Sequence, residues 1–307
     1  MRIITLPILS VFLLLYVGCL GQQNPTNEAS SYTEVKAEDY VLYQAQPSKA
    51  VLVLFPCFPC NATNTQTEFD IVEEATEEGV SVLMMDFNRR LYLNDEEKAS
   101  LVMQLERALT SHGLNDSQLV FGGFSSGGNV ALLAGDYLTA KTDLKLKGVF
   151  VVDSPIDLLA LYNTSVYHLE HNQDERALEE PRFLKQYFEQ TFGAPSTSIK
   201  SYEQFSPYTY QTQYIGNIAH LAKTPLRFYT EPDVDWWKSE RNANYEHMNA
   251  YYLEQLHNTL SVRWPDNTVE LMLTKDKGYR ANGMRHPHSW SIVDKNDLIH
   301  WINSITK

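Results

Sequence analysis

Residues 119–133 read Leu-Val-Phe-Gly-Gly-Phe-Ser-Ser-Gly-Gly-Asn-Val-Ala-Leu-Leu. The opening Leu-Val-Phe suits a buried strand, and the closing Asn-Val-Ala-Leu-Leu suits a helix. Between them lies Gly123-Phe-Ser125-Ser-Gly127, a serine with a glycine two residues to either side. On a strand-to-helix turn that spacing has a physical meaning. The serine is thrust out on strained backbone, and the glycines let neighbouring main chain approach where a Cβ would collide. The helix beginning there offers a partial positive charge and free N–H groups to a developing anion. The competing readings are a closely packed Gly-rich β–α turn or a phosphate cradle. No Lys follows the glycines, so a P-loop is unsupported.

The flanking sequence supplies the sheet that such a turn needs. Ala50–Phe55 is an apolar strand bounded by Pro56, and Val80–Phe87 is a second. Gln118–Phe121 and Lys147–Val152 follow as a third and fourth. Helices are expected at Thr65–Gly79 and Asn94–Gly113, the latter with Asn94 or Asp95 as N-cap and Leu101, Leu105 and Leu109 along one face. Near-continuous apolar strands alternating with helices imply an α/β architecture, a mostly parallel sheet flanked by helices on both faces. The alternation breaks over about 156–222, a Tyr-rich segment with helical patches, too long for a loop and suited to an inserted helical cap. It resumes with strand Leu226–Tyr229, a helix over about Trp237–His257, strand Val269–Leu273 and a final helix over about Trp290–Ile305.

The chain has 307 residues, 43% hydrophobic and 21% charged, with a formal net charge of −13. That composition is globular and excludes a disordered, collagen-like or disulfide-dense chain. Its acidity repels phosphate backbones, so no nucleic-acid partner is expected. The start is set apart. Arg2, an apolar run over 3–17 and Val17-Gly18-Cys19 form a secretory signal that resembles the bacterial lipoprotein type, although Tyr16 stands where Leu is usual. The expected organisation is a signal peptide over 1–18, a tether over 19–35 lipidated at Cys19, and one domain over 36–307. A plain cleaved signal and an uncleaved anchor are the alternatives. The expected location is the cell envelope, with a membrane anchor at Cys19.

On the Gly123–Gly127 motif and the order of elements, residues 36–307 resemble the α/β-hydrolase family. The resemblance implies a triad running Ser, acid, His along the chain. Ser125 matches the nucleophile. The acid usually follows the strand after the cap, here Pro225-Leu-Arg-Phe-Tyr-Thr-Glu231-Pro-Asp233-Val-Asp235. Asp233 fits the spacing best, ahead of Asp235 and Glu231. Asp157, in Asp153-Ser-Pro-Ile-Asp157 after the preceding strand, is a further alternative. The His belongs in the loop after the last strand, where His288 precedes the final helix and is favoured over His286. Imidazole suits the role because it accepts and returns a proton near neutral pH. The other seven His are expected at the surface and follow no metal-binding template.

The same resemblance implies an oxyanion hole of two backbone N–H groups, one from Ser126 and one from Phe55-Pro-Cys57-Phe58-Pro59-Cys60. Pro56 and Pro59 carry no N–H, which leaves Cys57 or Phe58, and Phe58 is the expectation. Cys57 and Cys60 in an exported protein suggest a disulfide. Two free thiols or a thioredoxin-type CxxC redox site are the rivals, the latter weakened because Asn-Ala-Thr-Asn rather than an amphipathic helix follows Cys60.

These residues imply a serine hydrolase, a carboxylic ester hydrolase above all, with no cofactor or metal and a small-molecule or glycan-linked ester as substrate. Peptide, thioester or lactone cleavage would use the same groups. The other class is a non-catalytic binding lipoprotein. Tyr162, Tyr167, Tyr187, Tyr202, Tyr208, Tyr210 and Tyr214 suit an amphipathic pocket or the packing of the cap on the core. Arg241, Arg280 and Arg285 would bind an anionic substrate group or lie solvated.

Overall fold

A computed structural model describes residues 32–87, 90–172 and 174–307. The signal segment, Cys19 and residues 20–31 of the tether lie outside the described residues. The fold opens with strands β1 (Tyr32–Lys36), β2 (Tyr40–Ala45) and β3 (Ala50–Phe55), then helices α1 (Ala62–Glu68) and α2 (Val72–Glu77). Strand β4 (Val80–Met85), helix α3 (Asp95–Ser111), strand β5 (Gln118–Phe124), helix α4 (Ser126–Lys141) and strand β6 (Lys145–Val152) complete the first half. The segment after β6 folds into α5 (Leu158–His171), α6 (Glu179–Phe192) and α7 (Lys200–Glu203). Strand β7 (Leu226–Thr230), helices α8 (Val234–Arg241) and α9 (Asn249–Arg263), strand β8 (Val269–Leu273) and helix α10 (Lys295–Ile305) close the chain.

The eight strands form one sheet in the order β1-β2-β4-β3-β5-β6-β7-β8. Strand β2 runs antiparallel to β1 and β4. Pairings from β4 through β8 are parallel. Side chains along a strand alternate between faces, and the core divides accordingly. Val51, Val53 and Phe55 of β3 enter one cluster with residues of α3, α4 and α9. Leu52 and Leu54 enter the other with residues of α1, α2 and α10. Strands β3 and β4 are therefore buried on both faces, which is why they read as unbroken apolar runs. Each buried Val or Leu contributes about 1.5–3 kcal/mol.

Four expectations change. Strand β1 begins at Tyr32, inside the stretch read as tether, and forms an edge of the sheet with no residue fully buried. The helix expected over Thr65–Gly79 is two helices, because Phe69 turns inward to stack on Trp290 with ring centroids 4.4 Å apart. The helix expected over Trp237–His257 ends at Asn242, whose φ of 52° is left-handed, and restarts at Asn249. The final helix, expected from about Trp290, begins at Lys295, where Asp294 caps it. The Asn94 signal holds: Asn94 caps α3 by accepting the Glu97 N–H at 2.9 Å, and Glu97 accepts the Asn94 N–H in return.

Candidate functional site

Ser125 sits between the end of β5 and the first residue of α4 at φ 54° and ψ −130°. A non-glycine residue is strained there, and neighbouring bonds hold it: its N–H donates to Val152 O at 2.9 Å and its carbonyl accepts the Gly128 N–H at 3.0 Å. The need for glycine on either side is steric. A Cβ on Gly123 would strike the Gly127 carbonyl, and one on Gly127 would strike that of Phe55. The turn can exist only where strand β5, helix α4 and the end of β3 touch backbone to backbone.

His288 lies in the loop between β8 and α10. Its ring packs on Phe124, with centroids 4.4 Å apart, and Trp290 two residues on is buried against Phe69 and Phe124. The carboxylate that meets it belongs to Asp153, at the end of β6, with Nδ1 and Oδ2 2.6 Å apart. Asp153 is fixed from several directions. Its N–H donates to Tyr229 O at 2.8 Å, Oδ1 accepts the Thr230 hydroxyl at 2.6 Å, and its carbonyl accepts Asn249 Nδ2 at 2.8 Å. Its φ of 46° turns the carboxylate out of the strand line.

The expectation for Asp233 is therefore corrected. Asp233 caps α8 by accepting the Trp236 N–H at 3.1 Å and binds Arg285 at 2.5 Å. Glu231, buried, is held by Arg285 at 2.6 Å and by the N–H groups of Lys277 and Gly278 at 2.8 and 3.2 Å. Asp235 is exposed in the first turn of α8. Asp157 caps α5, accepting the N–H groups of Ala160 at 3.0 Å and Tyr210 at 2.8 Å, and burial pushes its carboxyl up to about 6. Arg285 thus closes a clamp between the loop after β7 and the loop carrying His288, and its charge is spent there rather than on a ligand.

Ser125, Ser126, Asp153 and His288 border one cavity of about 500 Å³. Phe58 and Pro59 line one side, and Leu161, Ser165 and Leu184 of the expected cap line another. The segment between α8 and α9 adds His247 and Met248, and the first residue of α9 adds Asn249, a contribution the sequence conceals because it reads there as uninterrupted helix. His168 and His247 face this cavity instead of open surface. Burial, reinforced by their mutual repulsion and by Arg241, pushes His168 down to about 4. Burial foremost, with His288, Arg280 and Arg241 adding to it, pushes His286 down to about 3. Of the seven tyrosines, Tyr162, Tyr202 and Tyr208 are buried as packing, whereas Tyr210 and Tyr214 are exposed. Arg280 rides over the Phe124 ring at 5.6 Å.

Cys57 and Cys60 are joined by a disulfide. Helix α1 begins at Ala62, only two residues on, where the sequence suggested no immediate helix; Asn61 caps it by accepting the Asn64 N–H at 2.9 Å. The Phe58 N–H donates to the Ser126 hydroxyl at 2.7 Å, and the Phe58 ring stacks on Phe183 of α6 at 5.6 Å. Ser126 occupies the first position of α4, where a backbone N–H has no intrahelical partner.

No family model matches the chain, and no curated protein is similar to it in sequence. Solved structures do resemble it. An esterase of Pyrococcus furiosus superposes with a TM-score of 0.55 at 13% identity, covering 92% of this chain and 95% of its own. A hormone-sensitive lipase from a metagenome library gives 0.54 at 12%, covering 93% and 87%. An S-formylglutathione hydrolase from Agrobacterium tumefaciens gives 0.53 at 12%, covering 92% and 98%. The chain has the α/β-hydrolase fold.

Proposed function

We propose that this protein is a serine hydrolase acting on carboxylic esters through Ser125, His288 and Asp153. The observation that carries the reading is the 2.6 Å contact between His288 and Asp153 at the rim of the cavity that Ser125 also lines. Asp153 takes up Nδ1, which leaves Nε2 as the ring nitrogen available to the serine. Ser125 Oγ attacks the ester carbonyl while His288 accepts its proton. Asp153 orients the ring and stabilises the imidazolium. The tetrahedral oxyanion forms at the start of α4, among the Ser126 N–H and the 57–60 loop. Collapse expels the alcohol, which receives the proton from His288, and water then releases the acid by the same steps in reverse roles. The cavity walls are mostly apolar, which suits an acyl group, and the fold is shared with solved esterases and a lipase.

The signal-like start and Cys19 support an exported form, held to a membrane by lipid, acting on small-molecule or glycan-linked esters in the cell envelope. Hydrolysis of p-nitrophenyl butyrate by wild type, lost in Ser125→Ala at unchanged thermal stability, tests the catalytic reading. A folded wild type that turns over no ester, thioester or amide would favour the binding-protein class.

A further inference from the structure

Ser126 offers more than a backbone N–H. The residue is 1% exposed and lines the cavity beside Ser125. Its Oγ accepts the Phe58 N–H at 2.7 Å, which uses one lone pair and leaves the hydroxyl proton to donate. Among the described residues that proton makes no hydrogen bond. The Phe58 N–H, the expected second donor to an oxyanion, is already committed to this hydroxyl.

We propose that Ser126 is a catalytic residue whose side-chain hydroxyl and own backbone N–H together hold the oxyanion, with Phe58 acting through that hydroxyl. The proposal rests on the Ser125 acyl-transfer reading. A hydroxyl that accepts a hydrogen bond becomes a stronger donor. Phe58 is a fixed partner. Its loop is tied by the Cys57–Cys60 disulfide, by the Cys60 N–H to Cys57 O bond of 2.7 Å, and by the stack on Phe183. The Phe58 N–H therefore sets the Ser126 rotamer before substrate arrives, so the donor needs no reorganisation when charge develops. The proton stays on Ser126 Oγ throughout, and only hydrogen bonds change.

The rival arrangement reverses the sign of the effect. If the hydroxyl merely rests on the Phe58 N–H and swings aside, Ser126→Ala frees that N–H to reach the oxyanion directly, and kcat stays level or rises. On our reading Ser126→Ala lowers kcat about 100- to 1000-fold, with KM changing less than about threefold. Ser126→Thr, which keeps the hydroxyl, restores most of the rate. A trifluoromethyl ketone, which forms a tetrahedral oxyanion on Ser125, loses affinity in Ser126→Ala in parallel with kcat/KM. The ketone measurement decides the matter if the added methyl of Thr disturbs folding. Unchanged kcat and ketone affinity in Ser126→Ala overturn the proposal alone. Absence of turnover in wild type removes the reading beneath it.

Discussion

Nδ1 of His288 lies 2.6 Å from Oδ2 of Asp153, a residue 135 positions earlier, at the end of β6 rather than β7. Of the three carboxylates after β7, Arg285 holds Glu231 and Asp233, and Asp235 is exposed in the first turn of α8. Asp153→Asn is expected to lower kcat by about 10³–10⁴-fold, because an amide cannot hold the imidazole in the working tautomer or balance its charge. Asp233→Asn should leave kcat within a few-fold and cost about 1 kcal/mol or less, since Asn also caps helices. Ester kinetics and melting of the two variants side by side check both.

The clamp at Arg285 yields a second prediction. Arg285 is the cation paired with Glu231, whose side chain is only 1% exposed. Arg285→Met leaves that carboxylate buried without its counter-charge, an arrangement expected to cost about 3 kcal/mol. The loop carrying His288 should loosen with it, so kcat falls together with the melting temperature. Arg285→Lys should recover only part, because an ammonium cannot bridge Glu231, Asp233 and the Gly278 carbonyl as the guanidinium fork does.

Stability should fall in acid below the ordinary histidine range. His286, held down to about 3, and His168, held down to about 4, stay neutral in the folded protein where the unfolded chain protonates near 6.5. The unfolded state then binds more protons, so the stability present above pH 6.5 is lost as pH falls toward 4. Asp157, raised to about 6, acts oppositely between its ordinary 3.8 and 6, and one such group offsets only part of two. Melting temperature should drop from pH 7.5 to 5, and the double variant His168→Gln, His286→Gln should flatten that slope. An unchanged slope would contradict the assignment.

The disulfide should matter more to rate than to stability. It closes a loop of four residues, so little chain entropy is at stake. It also borders the Phe58 N–H that meets Ser126. Cys57→Ser with Cys60→Ser should lower kcat several-fold while shifting the melting temperature by a few degrees at most. Disulfide exchange activity in wild type that survives Ser125→Ala would instead favour the redox reading.

The elements that local chemistry specifies were legible in sequence. Apolar runs two-face buried in β3 and β4, the Asn94 cap, the glycines around Ser125 and His288 ahead of the last helix all depend on nearby residues. What escaped depends on distant ones. Asp233 matches local spacing better than Asp153, but Asp233 is held by Arg285, more than fifty residues away, and it is Asp153, 135 residues before His288, whose carboxylate meets the ring. Phe69 breaks a helix because Trp290 awaits it across the fold. Strand β1 alternates so weakly in polarity that only its pairing with β2 defines it. His247 looked like a surface residue because nothing nearby shows that α8 ends at Asn242 and turns the following segment toward the cavity.

Covalent labelling with a fluorophosphonate, read by mass spectrometry of the modified peptide, tests the central claim most directly. Wild type and Asp233→Asn should label on Ser125 at comparable rates, Asp153→Asn and His288→Ala should label far more slowly, and Ser125→Ala should not label at all. Equal labelling of Asp153→Asn and wild type, with Asp233→Asn slowed, would contradict the triad. A folded wild type left unlabelled would contradict the serine hydrolase itself.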